Sequence, residues 1–293
     1  MKIHELVRQV VVCLVVFGAL CVATEAYAQD VQDASVTSCS SLISQCGCTI
    51  TRAGFYKVTA ALLSSQGLTA QGDCIDIKAA NVVLHLQGFN ITGQGALLAT
   101  GAGIRLLSSA KGTFVEGTHE PLGFGDSTIK GWKYGIEVDS ANNIVEDFEA
   151  TLNGTAGIFL SKANGNNIND FGAGTNTVYG VWLKASSSNQ INCSETNNNG
   201  KSGVYVGCAD DGSLGASCKG VGPSKSNRIY DHSANSNGGA GIAIDLGDTK
   251  NLVTDTFDNT NTGGADLIDE NANCDSNLWF GNNFGTRSQS CID

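Results

Sequence analysis

Proline is almost missing, with 2 in 293 residues, and there is a single methionine. A chain so poor in proline can run long hydrogen-bonded ladders, because nearly every residue keeps its N–H. Charge is also scarce, at 15% of residues against the usual quarter. Basic side chains are scarcer still, 17 against 28 acids, for a net charge of −11. That balance excludes a nucleic-acid partner, which wants a basic face. Low charge with 41% hydrophobic residues excludes a charge-driven disordered chain. Glycine, by contrast, numbers 37. With little proline and no G-x-y period it excludes collagen, and tight turns between many short strands are what remains.

Beyond the N-terminus there is no long apolar run. Residues 1–28 read as a secretory signal peptide: Lys2 and Arg8, an apolar stretch from Val10 to Ala23, then Ala26-Tyr27-Ala28 before Gln29. The apolar stretch is too short to span a membrane. The expectation is a secreted or periplasmic protein without a membrane span. Cys13 and Cys21 leave with the signal, so nine cysteines remain. In an exported chain these should form disulfides, with at least one thiol left over.

A repeat organises the rest. Segments of the form G-I-x-L begin at Gly103, Gly135, Gly157, Gly180, Gly203 and Gly241, with a looser copy at Gly264. The steps are 32, 22, 23, 23, 38 and 23, a base period of about 23 with extra residues in two steps. A second column runs in register: Val145, Ile168, Ile191, Ile229, Val253. Two residues on stand Asp147, Asp170, Cys193, Asp231 and Asp255. Eight residues after the apolar position stand Asn153, Asn176, Asn199, Asn237 and Asn261.

Such a unit is one coil of a parallel solenoid. Its strands are too short to form a sheet alone, but coils stacked at about 4.8 Å pair each strand with the coils on either side. The two aliphatics of G-I-x-L share a face and point into the tube. The asparagines can stack their amides, and both prolines, Pro121 and Pro223, fall in the over-long steps.

The G-I-x-L, I-x-D and asparagine columns resemble the right-handed parallel β-helix of the pectate-lyase-like superfamily, in particular its secreted and periplasmic β-helix repeat proteins. The resemblance covers about residues 75–270 and implies an all-β, single-stranded right-handed parallel β-helix with disulfide-clipped caps. The expected layout is a signal peptide (1–28), an N-terminal cap (29–74), the β-helix (75–270) and a C-terminal cap (271–293). Cys39, Cys46, Cys48 and Cys74 clip the first cap in one of three pairings. Cys274 and Cys291 are expected to close the second, and Cys208 with Cys218 to clip the longer insertion. Cys193 is then odd, and a buried inert thiol is the expectation for it.

The two interruptions, 107–125 and 207–226, leave the tube after the same strand of their coil. Loops on a rigid scaffold are where function concentrates. Between them the outward middle position of G-I-x-L reads Glu137, Phe159, Trp182, Tyr205. Three aromatics on adjacent coils form either a sugar-stacking platform or a strip covered by the loops. On the first reading, Phe159, Trp182 and Tyr205 bind a polysaccharide or surface glycan. Two positions further on come Asp139, Ser161 and Lys184.

No complete catalytic motif is present. Acidic-sugar lyases of the resembled superfamily use Ca²⁺ held by Asp and Glu, with Lys or Arg as base. Glu137, Asp139 and Lys184 are the right types for that, with Glu137 and Asp139 as the metal ligands, but their spacing is no recognised signature. His119 is the one histidine in a candidate loop. The alternative function is therefore a uronic-acid polysaccharide lyase working by Ca²⁺-assisted β-elimination, and a third is a structural surface protein without catalysis.

Overall fold

In the computed structural model the described residues are 37–117, 126–211, 213–215, 218 and 220–293. The signal segment and His119 lie outside them. The apolar positions of G-I-x-L dictate the stack. Ile104, Ile136, Ile158, Val181, Val204 and Ile242 lie opposite one another in successive parallel strands, and all are fully buried. Each contributes about 1.5–3 kcal/mol by leaving water. The glycine before them answers a different need from turn flexibility. A Cβ on Gly135 would come within 2.6 Å of the carbonyl of Gly157, and one on Gly180 within 2.6 Å of that of Gly203. The coils approach too closely at that corner for any side chain.

Among the described residues the strands form two sheets, one of nine and one of fourteen strands, and their strands pair in parallel. The first sheet runs from Cys48–Ile50 through Tyr134–Val138 and Tyr179–Lys184 to Leu267–Asp269. The second runs from Leu42–Ile43 through Ile144–Thr151 and Asn167–Gly172 to Leu278–Phe280. This is the right-handed parallel β-helix that the repeat implied, and parallel pairing already begins inside the segment expected to be a cap.

The I-x-D column bends the second sheet. Glu146 pairs with Asn169 and Phe148 with Phe171, while Asp147 and Asp170 between them are skipped. Asp147, Asp170, Cys193, Asp231 and Asp255 all have left-handed backbones, with φ of 60, 51, 48, 49 and 53°. Short polar side chains tolerate that conformation best. The strand turns an elbow there, and the skipped residue points its side chain outward. Cys193 shares this position and is therefore exposed, not buried as expected, and it is the free cysteine among the described residues.

Two asparagine ladders staple the coils. The expected one donates amide to amide from Asn153 through Asn176, Asn199 and Asn237 to Asn261 at 3.0–3.1 Å. A second, from Asn143 through Asn166, Asn189, Asn227 and Asn251 to Asn277, spans 2.9–3.2 Å. Four disulfides join Cys39–Cys48, Cys46–Cys74, Cys208–Cys218 and Cys274–Cys291. The last two are the expected pairs, and the first two resolve the three N-terminal alternatives.

Candidate functional site

On the outer face of the first sheet, Asp76, Arg105, Glu137, Phe159, Trp182 and Tyr205 follow one another in register. The expected pair Glu137 and Asp139 does come together, around Arg105. Arg105 Nη2 lies 2.8 Å from Asp139 Oδ2 and 3.4 Å from Glu137 Oε1, and Arg105 Nη1 is 4.0 Å from Asp73 Oδ2. Asp73, Asp76 and Arg105 were not singled out in the sequence, although Asp76 and Arg105 occupy the same outward column in earlier coils. Burial, then a hydrogen bond with Asp73, pushes Asp76 up to about 7. Burial, then the charge of Asp139, pushes Glu137 up to about 7. These are largely enclosed, mutually occupied groups.

The aromatic column is covered. Phe159, Trp182 and Tyr205 are 6%, 1% and 0% exposed, which corrects the expectation of an open strip. The cover is the segment after Val206. Trp182 Nε1 donates to Gly207 O at 2.9 Å, and Tyr179 Oη to Ala209 O at 2.8 Å. Tyr205 Oη donates to Asp245 at 2.7 Å. Rings of Phe159 and Trp182 stack at 4.3 Å and those of Tyr179 and Tyr205 at 4.7 Å. Lys184 sits at the margin, bound to Asp210 at 2.6 Å with its ammonium 5.0 Å from the Trp182 ring. It is committed to closing the cover.

The open concavity lies at the elbow of the second sheet. It is a groove of about 670 Å³ running along the coil stack, with Glu149, Asp170, Gly172, Glu195, Asp231 and Phe257 in its lining. Asp126, Asp147 and Asp255 add further carboxylates, Asn197 and Ser233 add neutral polar groups, and no lysine or arginine is among the described lining residues. Burial, reinforced by the charges of Asp126 and Glu195, raises Glu149 above the usual carboxylate range. The I-x-D column runs along this groove, but its periodicity alone does not disclose a concavity.

At the rim of the elbow stands a metal-capable set. One carboxylate oxygen each from Glu116, Glu146 and Asp147 lies within 4.8 Å of the others. His85 Nδ1 is 2.5 Å from Glu116 Oε2. His232, in contrast, is inside the tube, with Ser194 Oγ at 2.8 Å on Nδ1 and Thr196 Oγ1 at 2.8 Å on Nε2. Burial pushes it down to about 3.

Residues 33–231 match the family described as periplasmic copper-binding protein (NosD). The chain belongs to the NosD family. No curated protein matches it. Among solved structures, the Dettilon tailspike protein aligns with a TM-score of 0.55 at 16% identity, over 75% of this chain and 43% of that one. A mutant of the periplasmic alginate epimerase AlgG aligns with a TM-score of 0.50 at 15% identity, over 81% of this chain and 62% of that one. At such identities the likeness is one of fold. This NosD-family chain spans less than two thirds of either neighbour's length. The family is periplasmic, which fits a chain with four disulfides. No helix among the described residues is long and apolar enough to cross a membrane.

Proposed function

We propose that this periplasmic β-helix protein binds a linear glycan of neutral or amino-sugar type along the elbow groove. The observation that carries the reading is the groove itself, elongated along the coils and lined by carboxylates, Asn197, Ser233 and Phe257, with no lysine or arginine among the described lining residues. Carboxylates and amides accept and donate to sugar hydroxyls, and recur about every 4.8 Å along the stack. A polyuronate would meet repulsion there. The tailspike and alginate epimerase neighbours make a glycan the natural ligand class to test. The uronic-acid lyase alternative has less support, because Lys184 is bound to Asp210 and Arg105 occupies Glu137 and Asp139. Calorimetric titration with neutral, amino-sugar and uronic oligosaccharides tests the reading. Binding of the first or second class, weakened about tenfold or more by Glu149→Gln or Glu195→Gln, is expected. Preference for uronic oligomers, or indifference to both variants, would sink it.

A second reading, copper binding, comes from the description of the family. Cu(I) wants thiolate or thioether donors. The single methionine is Met1, and Cys193 lies on a different coil from the rim set. His232 has both ring nitrogens engaged. The rim set is three carboxylates, with His85 paired to Glu116 beside it, and an all-oxygen donor set suits a hard ion better than copper.

A further inference from the structure

We infer that this protein forms a two-fold dimer in which Leu97 and Leu98 of one copy enter a hollow beside Leu152 of the other. Leu97 is 92% and Leu98 72% exposed. Apolar residues scattered singly over a surface are ordinary, whereas two adjacent leucines held this far out mark a contact. The backbone beneath them is fixed. The N–H of Gly93 donates to Lys130 O at 2.8 Å and that of Gly95 to Gly131 O at 2.9 Å. Leu98 and Ala99 both donate back to Gly95 O, at 3.0 and 3.1 Å, and Gly95 makes this turn possible at φ 110°. A Cβ on Gly93 would lie 2.1 Å from the carbonyl of Gly131, and one on Gly154 2.2 Å from that of Ala96. The segment 93–99 is thus seated directly on the neighbouring coils and presents the two leucines as a knob.

Beside the knob lies an open hollow of about 410 Å³, with Thr92, Gly95, Ala96, Leu152, Thr175 and Thr177 in its lining. Leu152 is itself 55% exposed. A knob and a hollow on one face are self-complementary. A two-fold axis between them places each knob in the other copy's hollow, and the assembly closes at two. Charge points to the same face. With a net charge of −11, two copies repel one another over an acidic surface. No carboxylate is among the described residues lining the hollow, and Lys130 is the one charged group there. A membrane is the poorer occupant. Anionic lipid attracts clustered basic residues, and the hollow offers Lys130 alone, while Thr175 also borders the acidic elbow groove.

Sedimentation velocity of the purified protein over a concentration series tests it. A contact this small predicts a weak dimer, with a Kd of about 1–100 μM. Leu97→Asp combined with Leu98→Asp should leave a monomer at every concentration, and so should Thr177→Trp, which fills the hollow from the other side. All three positions are exposed, so the melting temperature should stay at the wild-type value. In a Cys193→Ser background, Leu97→Cys protein mixed with Thr177→Cys protein should form a disulfide-linked heterodimer under mild oxidation. A wild-type protein that is monomeric up to about 300 μM, well above that Kd range, overturns the proposal. So does a dimer that survives the paired aspartate substitutions, or one that yields no cross-link between the two cysteine variants. If the wild-type protein stays monomeric and the leucines instead hold it to anionic vesicles, the knob is a membrane contact and the dimer falls.

Discussion

The carboxylate of Glu149 lies directly over the backbone of Gly172, where a Cβ would collide with both of its oxygens. The glycine thereby leaves room for a half-buried acid on the groove floor, one coil away in the pairing of the two strands. Gly172→Ala should push the carboxylate aside. Because the displaced group is the end of a flexible side chain, stability should change by no more than about 0.5 kcal/mol. Glycan affinity should fall about tenfold. Titration calorimetry paired with thermal unfolding separates the two effects, and unchanged affinity would remove Glu149 from the site.

Asn199 is a rung whose loss leaves a gap on both sides. Its Oδ1 accepts both the backbone N–H and the side-chain amide of Asn176, at 2.9 and 3.1 Å. Asn199→Ala leaves the buried N–H of Asn176 without a partner, at about 1–3 kcal/mol, and its side-chain amide with only the carbonyl of Ala150. The melting temperature should drop by about 5 °C or more, measured by calorimetric scanning. A drop below about 1 °C would mean that the ladder is not a stabilising element.

How much of this was legible in the sequence follows from what repeats. Ile136, Ile158 and Val181 could be placed because each coil must fill the same tube. Asn153 to Asn261 could be placed because each coil turns the same corner. The ladder from Asn143 to Asn277 recurs as regularly, two residues ahead of Val145, Ile168, Ile191, Ile229 and Val253, and was readable in principle. The burial of Trp182 was not, because its cover is the unrepeated segment around Gly207 and Ala209. The exposure of Cys193 and the clustering of Asp147 with Glu116 depend on the left-handed backbone at the elbow, and hydrophobic periodicity does not report that.

Trp182→Ala should act on the fold. The indole is 1% exposed, stacks on Phe159 and donates to Gly207. Its truncation should cost about 3–5 kcal/mol in denaturant unfolding, with glycan affinity of the folded fraction unchanged. A selective loss of affinity at full stability would return the site to the aromatic column.

Buried acids on both sides of the tube wall set a pH dependence. Burial holds Asp258 at about 8 and Asp248 at about 7, and Asp76 and Glu137 also near 7. The unfolded chain ionises such groups near 4. It therefore binds fewer protons than the fold between about pH 4 and 8, and these groups lose stability as pH rises across that window. His232 works in the opposite sense. Its folded value of about 3 costs stability as pH falls below about 6.5. From about pH 6.5 to 8.5 only the carboxyls act, so the melting temperature should fall over that range. Asp258→Asn should flatten the decline, since Asp258 Oδ1 has no hydrogen-bond partner among the described residues. A melting temperature that rises from pH 6.5 to 8.5 would contradict the account.

Each asparagine ladder stops on an acid. Asn261 donates to Asp266 Oδ1 at 2.9 Å, and Asn277 to Asp269 Oδ2 at 3.0 Å. An amide at either place would present a fresh donor to whatever lay beyond, and a second molecule could dock its own first coil there. A carboxylate has only acceptors to offer, and these are already taken up by Thr286, Asn271 and Trp279. The two terminal aspartates thus give the stack a finite length. They let a protein built from endlessly repeatable units avoid growing into a fibre.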